Sequence, residues 1–360
     1  MTPLQEDVLR AAFAADRTAV DAWRRWRSAV DWEAHLDHDA FRLMPRACRN
    51  LQTLGETDSL LPRLSGIGRQ AWYANQRRAA RLQPVLQQLA AANVEMLIVP
   101  PGTLPLFEPR AVIPPDAALV CAVRAEQAEA AVRCLWRQAG SSSVRLPHWA
   151  LAGYVRTGGT VTWRGPDGQE LRLLWQANQR DRGGRFPDEV WQRAVQGQLG
   201  LVPLLLMNAD DTVHELCRQP LNGNPFRRIV DVLLMLDAMP GPVDWRRVSV
   251  RAEHAPLAPG WSEYFARLHA LLPRLFPASV IAEWPVAGLP PATTAAGGMG
   301  RRVAAHWRAY REAVGEPRSQ ALAIKHLPGH LVARWNLPSL TWIPMRVCRG
   351  LRDEWREARR

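Results

Sequence analysis

The stretch VEMLIVPPGTLPLFEPRAVIPPDAALVCAV, Val94–Val123, decides how this chain is read. Met96–Val99 is a short apolar run with β-branched residues, a composition that fits a pleated and buried surface. Pro100, Pro101 and Gly102 end it, because proline removes a backbone donor and glycine supplies turn geometry. About a dozen residues on, Asp116 opens a second apolar run, Leu119–Val123, preceded by Pro114 and Pro115. The order is therefore strand, glycine turn, loop, acidic strand. Further along, Gly165-Pro166-Asp167-Gly168 separates a run at 160–164 from Gln169–Trp175, QELRLLW. A turn of that composition between two strand-like runs predicts a β-hairpin.

These motifs resemble those of an uncharacterised bacterial nucleotidyltransferase-like family of the polymerase-beta-type superfamily. In that family the first strand ends in Lys-Gly and the second begins Asp-x-Asp. Here the corresponding positions read Pro101-Gly102 and Asp116-Ala117-Ala118. The family's later strand ends in acidic, apolar, His, Trp. Aligned on Trp175, this chain has Arg172 in place of the acid and Leu174 in place of the His.

The losses matter for a physical reason. Nucleotidyl transfer uses divalent ions that bridge phosphate oxygens, and Mg²⁺ takes oxygen ligands from carboxylates and phosphates. Side chains two apart on a strand share a face, so Asp-x-Asp presents two carboxylates to one metal pair. With Ala118 in the second place, Asp116 stands alone. Arg172 has donors only and cannot ligate a metal. Glu170 is the one substitute: it lies on the Arg172 side of the strand, displaced by roughly 7 Å. The competing reading makes Asp116 part of a turn and Glu170 a solvated hairpin charge.

The resemblance reaches from about Trp32 to about Pro277. A helix is expected at Ala71–Ala92, stopped by Asn93, and another at Ala125–Gln138, stopped by Gly140. VWQRAV (Val190–Val195) and the segments starting at Asp210, Phe226 and Val243 read as the family's helical C-terminal half.

Composition sets the outer bounds. The chain has 360 residues and a net charge of +12, enough length for two packed units. Lys325 is the single lysine among 46 basic residues, and the arginines are spread along the chain. No basic block is interleaved with glycine or aromatic residues, so specific nucleic-acid binding is not expected. The apolar stretches Leu199–Met207 and Val230–Leu236 are too short to cross a bilayer. The start MTPLQEDVLRAAFAADR lacks the apolar core of a signal peptide, and the expected compartment is the cytoplasm. Cys48, Cys121, Cys134, Cys217 and Cys348 show no metal spacing and read as reduced, mostly buried thiols.

Of the sixteen tryptophans, Trp23, Trp26, Trp72, Trp136, Trp191, Trp245, Trp307 and Trp355 sit in helical patterns and read as packing residues, and Trp163 and Trp175 as sheet residues. His35 and His38, with Asp37 and Asp39, read as a polar helix start rather than a metal site. His326 and His330 flank Pro328-Gly329, which breaks helical pairing. Gly297–Arg301, GGMGR, lacks the strand and spacing of a phosphate loop.

The expected fold is α+β, a small mixed nucleotidyltransferase-like sheet embedded in a mostly helical chain. The expected segments are N-terminal helices (1–92), the sheet module (93–185), C-terminal helices (186–286), and a linker with basic helices (287–360). Two function classes follow from the resemblance. One is a non-catalytic protein with a degenerate metal site, acting through a partner or ligand of a biosynthetic pathway and needing no cofactor. The other is a working transferase using Mg²⁺ and a nucleoside triphosphate. It would have Asp116 and Glu170 as metal ligands, Gly102 permitting phosphate approach, and Arg110 and Arg172 supplying positive charge. A third class is a helical adaptor.

Overall fold

The computed structural model describes residues 1–280 apart from 33–36, 101, 115–116, 144–147, 158, 176–186, 220, 222–223, 240, 255, 259 and 279. The expected linker at 287–300, the basic helices after it, Cys348, His35, His326, His330, Trp307 and Trp355 lie outside the described residues. In chain order the elements are α1 (Pro3–Phe13), α2 (Arg17–Ala29), α3 (His38–Thr53), α4 (Leu61–Ala91), β1 (Leu97–Val99), the single turn α5 (Leu104–Phe107) and β2 (Leu119–Ala122). A 3-10 turn at Ala125–Gln127 leads into α6 (Ala128–Arg137), β3 (Ser141–Ser142), α7 (His148–Thr157), β4 (Thr160–Arg164), β5 (Glu170–Leu174) and α8 (Asp188–Gln192). Then come β6 (Val195–Leu199), β7 (Val202–Leu206), α9 (Ala209–Arg218), α10 (Pro225–Ala238), α11 (Trp245–His254) and α12 (Trp261–Leu271). The class is mixed α+β, with parallel and antiparallel strand pairs among mostly helical elements. No helix of the described residues is long and apolar enough to cross a membrane.

Two compact units divide the described chain, one holding 1–81, 98–117 and 192–280, the other 82–97 and 118–191. In the first unit α1, α2 and α3 pack on one another, and α10 packs on α3 and α9. Thr2 starts α1 with a reciprocal capping box to Gln5, satisfying two otherwise orphaned donors. Trp23 and Trp26 stack with centroids 5.4 Å apart, and Trp32 meets Trp26 edge-on at 5.7 Å. Asp37 caps α3 by accepting from the Asp39 N–H, so the polar run around His38 is a helix start, as its composition predicts. Among the described residues no group of His, Cys, Asp or Glu is placed to hold a metal.

The core of that unit contains a fully buried arginine. Arg42 of α3 donates from Nη2 to Asp231 of α10 at 2.6 Å and from Nε to the Val112 carbonyl at 3.2 Å. Asp39 lies 3.6 Å from its Nη1. Burying a charge is costly unless it is paired, and two aspartates surround this one.

The β6–β7 hairpin is a departure from the sequence reading, which gives 186–286 to helix. After the short α8 the chain reverses at Gly200-Leu201, with Gly200 at φ 60, and the strands pair Val195 with Leu206 through Leu199 with Val202. A glycine opening a two-residue turn supplies the positive φ that such hairpins need. The strand is hard to see because VQGQL has little apolar content and is mostly exposed.

In the second unit the strand order is β3-β4-β5-β2. The β4–β5 hairpin turns through Gly165–Gly168 as predicted, with Gly168 at φ 78 and its N–H bonded to the Gly165 carbonyl. β2 runs parallel to β5, pairing Leu119 with Leu171 and Ala122 with Leu174. Cys121, Val161, Leu171 and Leu173 are wholly buried, as are Ala131 and Val132 of α6. Trp175 donates from Nε1 to the Val155 carbonyl at 2.8 Å and meets Tyr154 of α7 edge-on at 5.8 Å. Asn93, at φ 56, ends α4, and the Val94 N–H reaches back to the Leu89 carbonyl at 3.0 Å. That bond is the left-handed helix stop the sequence predicts. Trp163, Trp175, Trp191 and Trp245 are buried, whereas Trp72 is 40% exposed and is not a core residue.

Candidate functional site

β5 carries the residues the sequence singles out, and its alternation sorts them. Leu171 and Leu173 face the core, so Glu170, Arg172 and Leu174 share the opposite face. Arg172 is exposed and stands in register between Val120 of β2 and Thr162 of β4. It has no ion pair among the described residues. Glu170 is opposite Arg164 of β4 and accepts from its Nε at 2.8 Å, with a second bond from Nη2. Glu170 is therefore a cross-strand partner rather than an uncommitted carboxylate.

The other candidates lie in the first unit. Gly102 is buried in the turn after β1, and its N–H is committed to the Val99 carbonyl at 3.1 Å. A committed N–H is not offered to a phosphate. Arg110 is exposed on a loop held from two sides: Asn75 of α4 donates to the Pro109 and Ala111 carbonyls, both at 2.9 Å, and Arg42 reaches Val112. Asp116 and Pro101 lie outside the described residues, and with them the expected pairing of Arg172 with Asp116. The structure thus brings Glu170 and Arg172 together on one strand face and places Gly102 and Arg110 in one loop region.

The donor set that the described residues place on the β5 face does not fit a divalent cation. Among the described residues its carboxylate is Glu170, which is engaged by Arg164 and shares the strand face with Arg172, while the Ala118 side chain offers no oxygen. Mg²⁺ needs carboxylate oxygens and would meet net positive charge here.

A cleft of about 300 Å³ opens at the other end of the same strands. It is lined by Val123–Glu126, Trp175, Pro187, Asp188 and Trp191, where β2 and β5 end. In sheets with parallel strands, ligand crevices lie outside the carboxyl ends. Arg124 stacks over the Trp191 ring at 4.7 Å, donates from Nη1 to Asp188 at 3.3 Å, and bonds through Nε to Glu95. The bond to Glu95 holds the Arg124 pKa above its ordinary value, with burial opposing. Sequence reasoning takes Trp191 for a packing residue and passes over Arg124. The available signal is positional: Arg124 is the second residue past an apolar strand and immediately precedes a helical turn.

Compared with protein-family models, with curated proteins and with solved structures, the chain matches none.

Proposed function

We propose that this protein is a nucleotidyltransferase-fold binding protein whose metal site has degenerated, acting through a partner or ligand of a biosynthetic pathway without transferring nucleotides. The observation that carries the reading is Arg172. It takes the position at which the resemblance places a metal-ligating acid, and it presents its side chain on the exposed face of β5. Glu170, the substitute ligand, is engaged by Arg164. The face therefore offers cations where transfer chemistry needs anions. Cationic guanidiniums on a sheet face instead suit a carboxylate or phosphate group carried by a binding partner.

The test is a turnover assay. The full chain is incubated with each α-labelled nucleoside triphosphate, Mg²⁺ or Mn²⁺, and an extract of the source cells as acceptor. No label transfer and no pyrophosphate release are expected above a boiled control. Metal-dependent transfer that disappears in Glu170→Gln would establish the working-transferase reading instead.

A further inference from the structure

We infer that the exposed face of α4 is a docking surface for an acidic helical segment of another protein. This goes beyond the β5 reading: the face lies in the first unit and uses no residue of the sheet.

α4 buries one side through Leu61, Leu64, Gly68, Ala71 and Asn75, with Gly68 against Pro45 of α3. The opposite side is exposed and has an uncommon composition. Trp72 and Tyr73 are 40% and 62% exposed and meet edge to face with centroids 4.9 Å apart. Arg69 and Arg77, both exposed, stand four residues to either side of Tyr73. Residues four apart share a helix face, so the row reads arginine, aromatic, arginine. Arg69 and Arg77 make no ion pair among the described residues, whereas Arg63 stacks on Trp32 and Arg78 donates to the Pro114 carbonyl. The sequence from 59 to 94 contains five arginines and no aspartate or glutamate. No carboxylate of α4 itself neutralises the face.

Those properties select the occupant. Tryptophan, tyrosine and arginine are the residues enriched where binding energy concentrates in protein interfaces. Arg69 and Arg77 are about 12 Å apart along the axis at 1.5 Å per residue. A partner helix with carboxylates two turns apart and an apolar side chain between them matches both charges and the aromatic pair. A nucleic acid is a poorer match, because avid phosphate binding uses many neutralising contacts and this face offers few arginines, Arg69 and Arg77 with Arg81 one turn further on. The chain's own residues 281–360 are also a poor match: they hold thirteen basic and six acidic residues, so like charge repels them.

The experiment uses the full chain and three probes: a fluorescein-labelled helical peptide with glutamates two turns apart flanking a leucine, a single-stranded oligonucleotide, and anionic phosphatidylserine vesicles. The peptide is expected to bind, with Arg69→Glu plus Arg77→Glu weakening it about 100-fold and Tyr73→Ala about tenfold. The same charge change at Arg17 and Arg246, exposed positions off α4, is expected to leave binding within about twofold, and unchanged circular dichroism certifies each fold. Absence of peptide binding overturns the inference. So does equal sensitivity to the control pair, or tighter Arg69/Arg77-dependent binding of the oligonucleotide or the vesicles.

Discussion

Glu170 of β5 and Arg164 of β4 face each other across the hairpin as a directly opposed pair, with an Nε–Oε1 distance of 2.8 Å. The contact joins the two strands on the face that also carries Arg172, and it commits the carboxylate that would have to serve as metal ligand. The Arg164 side chain is 63% exposed, so the pair contributes little to stability, about 0–1 kcal/mol. Glu170→Gln should therefore shift the urea midpoint only slightly, and millimolar Mg²⁺ should stabilise neither form. Mg²⁺-dependent stabilisation of the wild type alone would mean that Glu170 holds the ion.

The two faces of β5 should respond differently to truncation. Leu173 is wholly buried while Arg172 is exposed. Leu173→Ala is expected to cost about 2–5 kcal/mol in urea unfolding, and Arg172→Ala to stay within about 0.5 kcal/mol. Equal losses would show that Arg172 has a structural role on that face.

Much of this sheet is legible in the sequence, and the reasons are local. Proline or glycine marks at least one end of each run, and the predicted strands at 96–99, 119–123, 160–164 and 169–175 appear as Leu97–Val99, Leu119–Ala122, Thr160–Arg164 and Glu170–Leu174. Asn93 and Gly168 announce their positive φ by residue type. The pairing of Glu170 with Arg164 is less visible, because it depends on the hairpin register, and the cleft beside Arg124 depends on a parallel pairing between distant segments. β6 escaped for a compositional reason: VQGQL is an exposed, glutamine-rich strand without alternating apolar residues.

Arg42 tests how the first unit is held. Its side chain is 1% exposed and its partner Asp231 4%. Arg42→Met removes the buried cation between Asp231 and Asp39 and, among the described residues, leaves Asp231 only Arg228, 3.5 Å away, a change expected to cost about 3–5 kcal/mol. Urea denaturation followed by far-ultraviolet circular dichroism measures it, and a loss below about 1 kcal/mol would show that the aspartates find other compensation.

Burial pushes the Cys121 and Cys217 thiols and the Tyr154 phenol well above their ordinary ranges. Each group stays protonated in the folded chain at a pH where the unfolded chain ionises it. The unfolded state then binds fewer protons, so stability is fully present below the ordinary thiol pKa of 9.0 and falls as pH rises past it. Unfolding free energy should be flat from about pH 7 to 8.5 and decline above about 9, with Cys121 and Cys217 resisting iodoacetamide until urea is added. Labelling of both in the native protein at pH 8 would contradict this burial.

The central claim is that the β5 face does not hold a metal–nucleotide complex, and calorimetry of the full chain with Mg²⁺ and each nucleoside triphosphate tests it most directly. The expected result is no metal-dependent heat of binding, because Glu170 is engaged by Arg164 and Arg172 adds positive charge to the same strand face. A low-micromolar dissociation constant that requires Mg²⁺ and is lost in Glu170→Gln would contradict it.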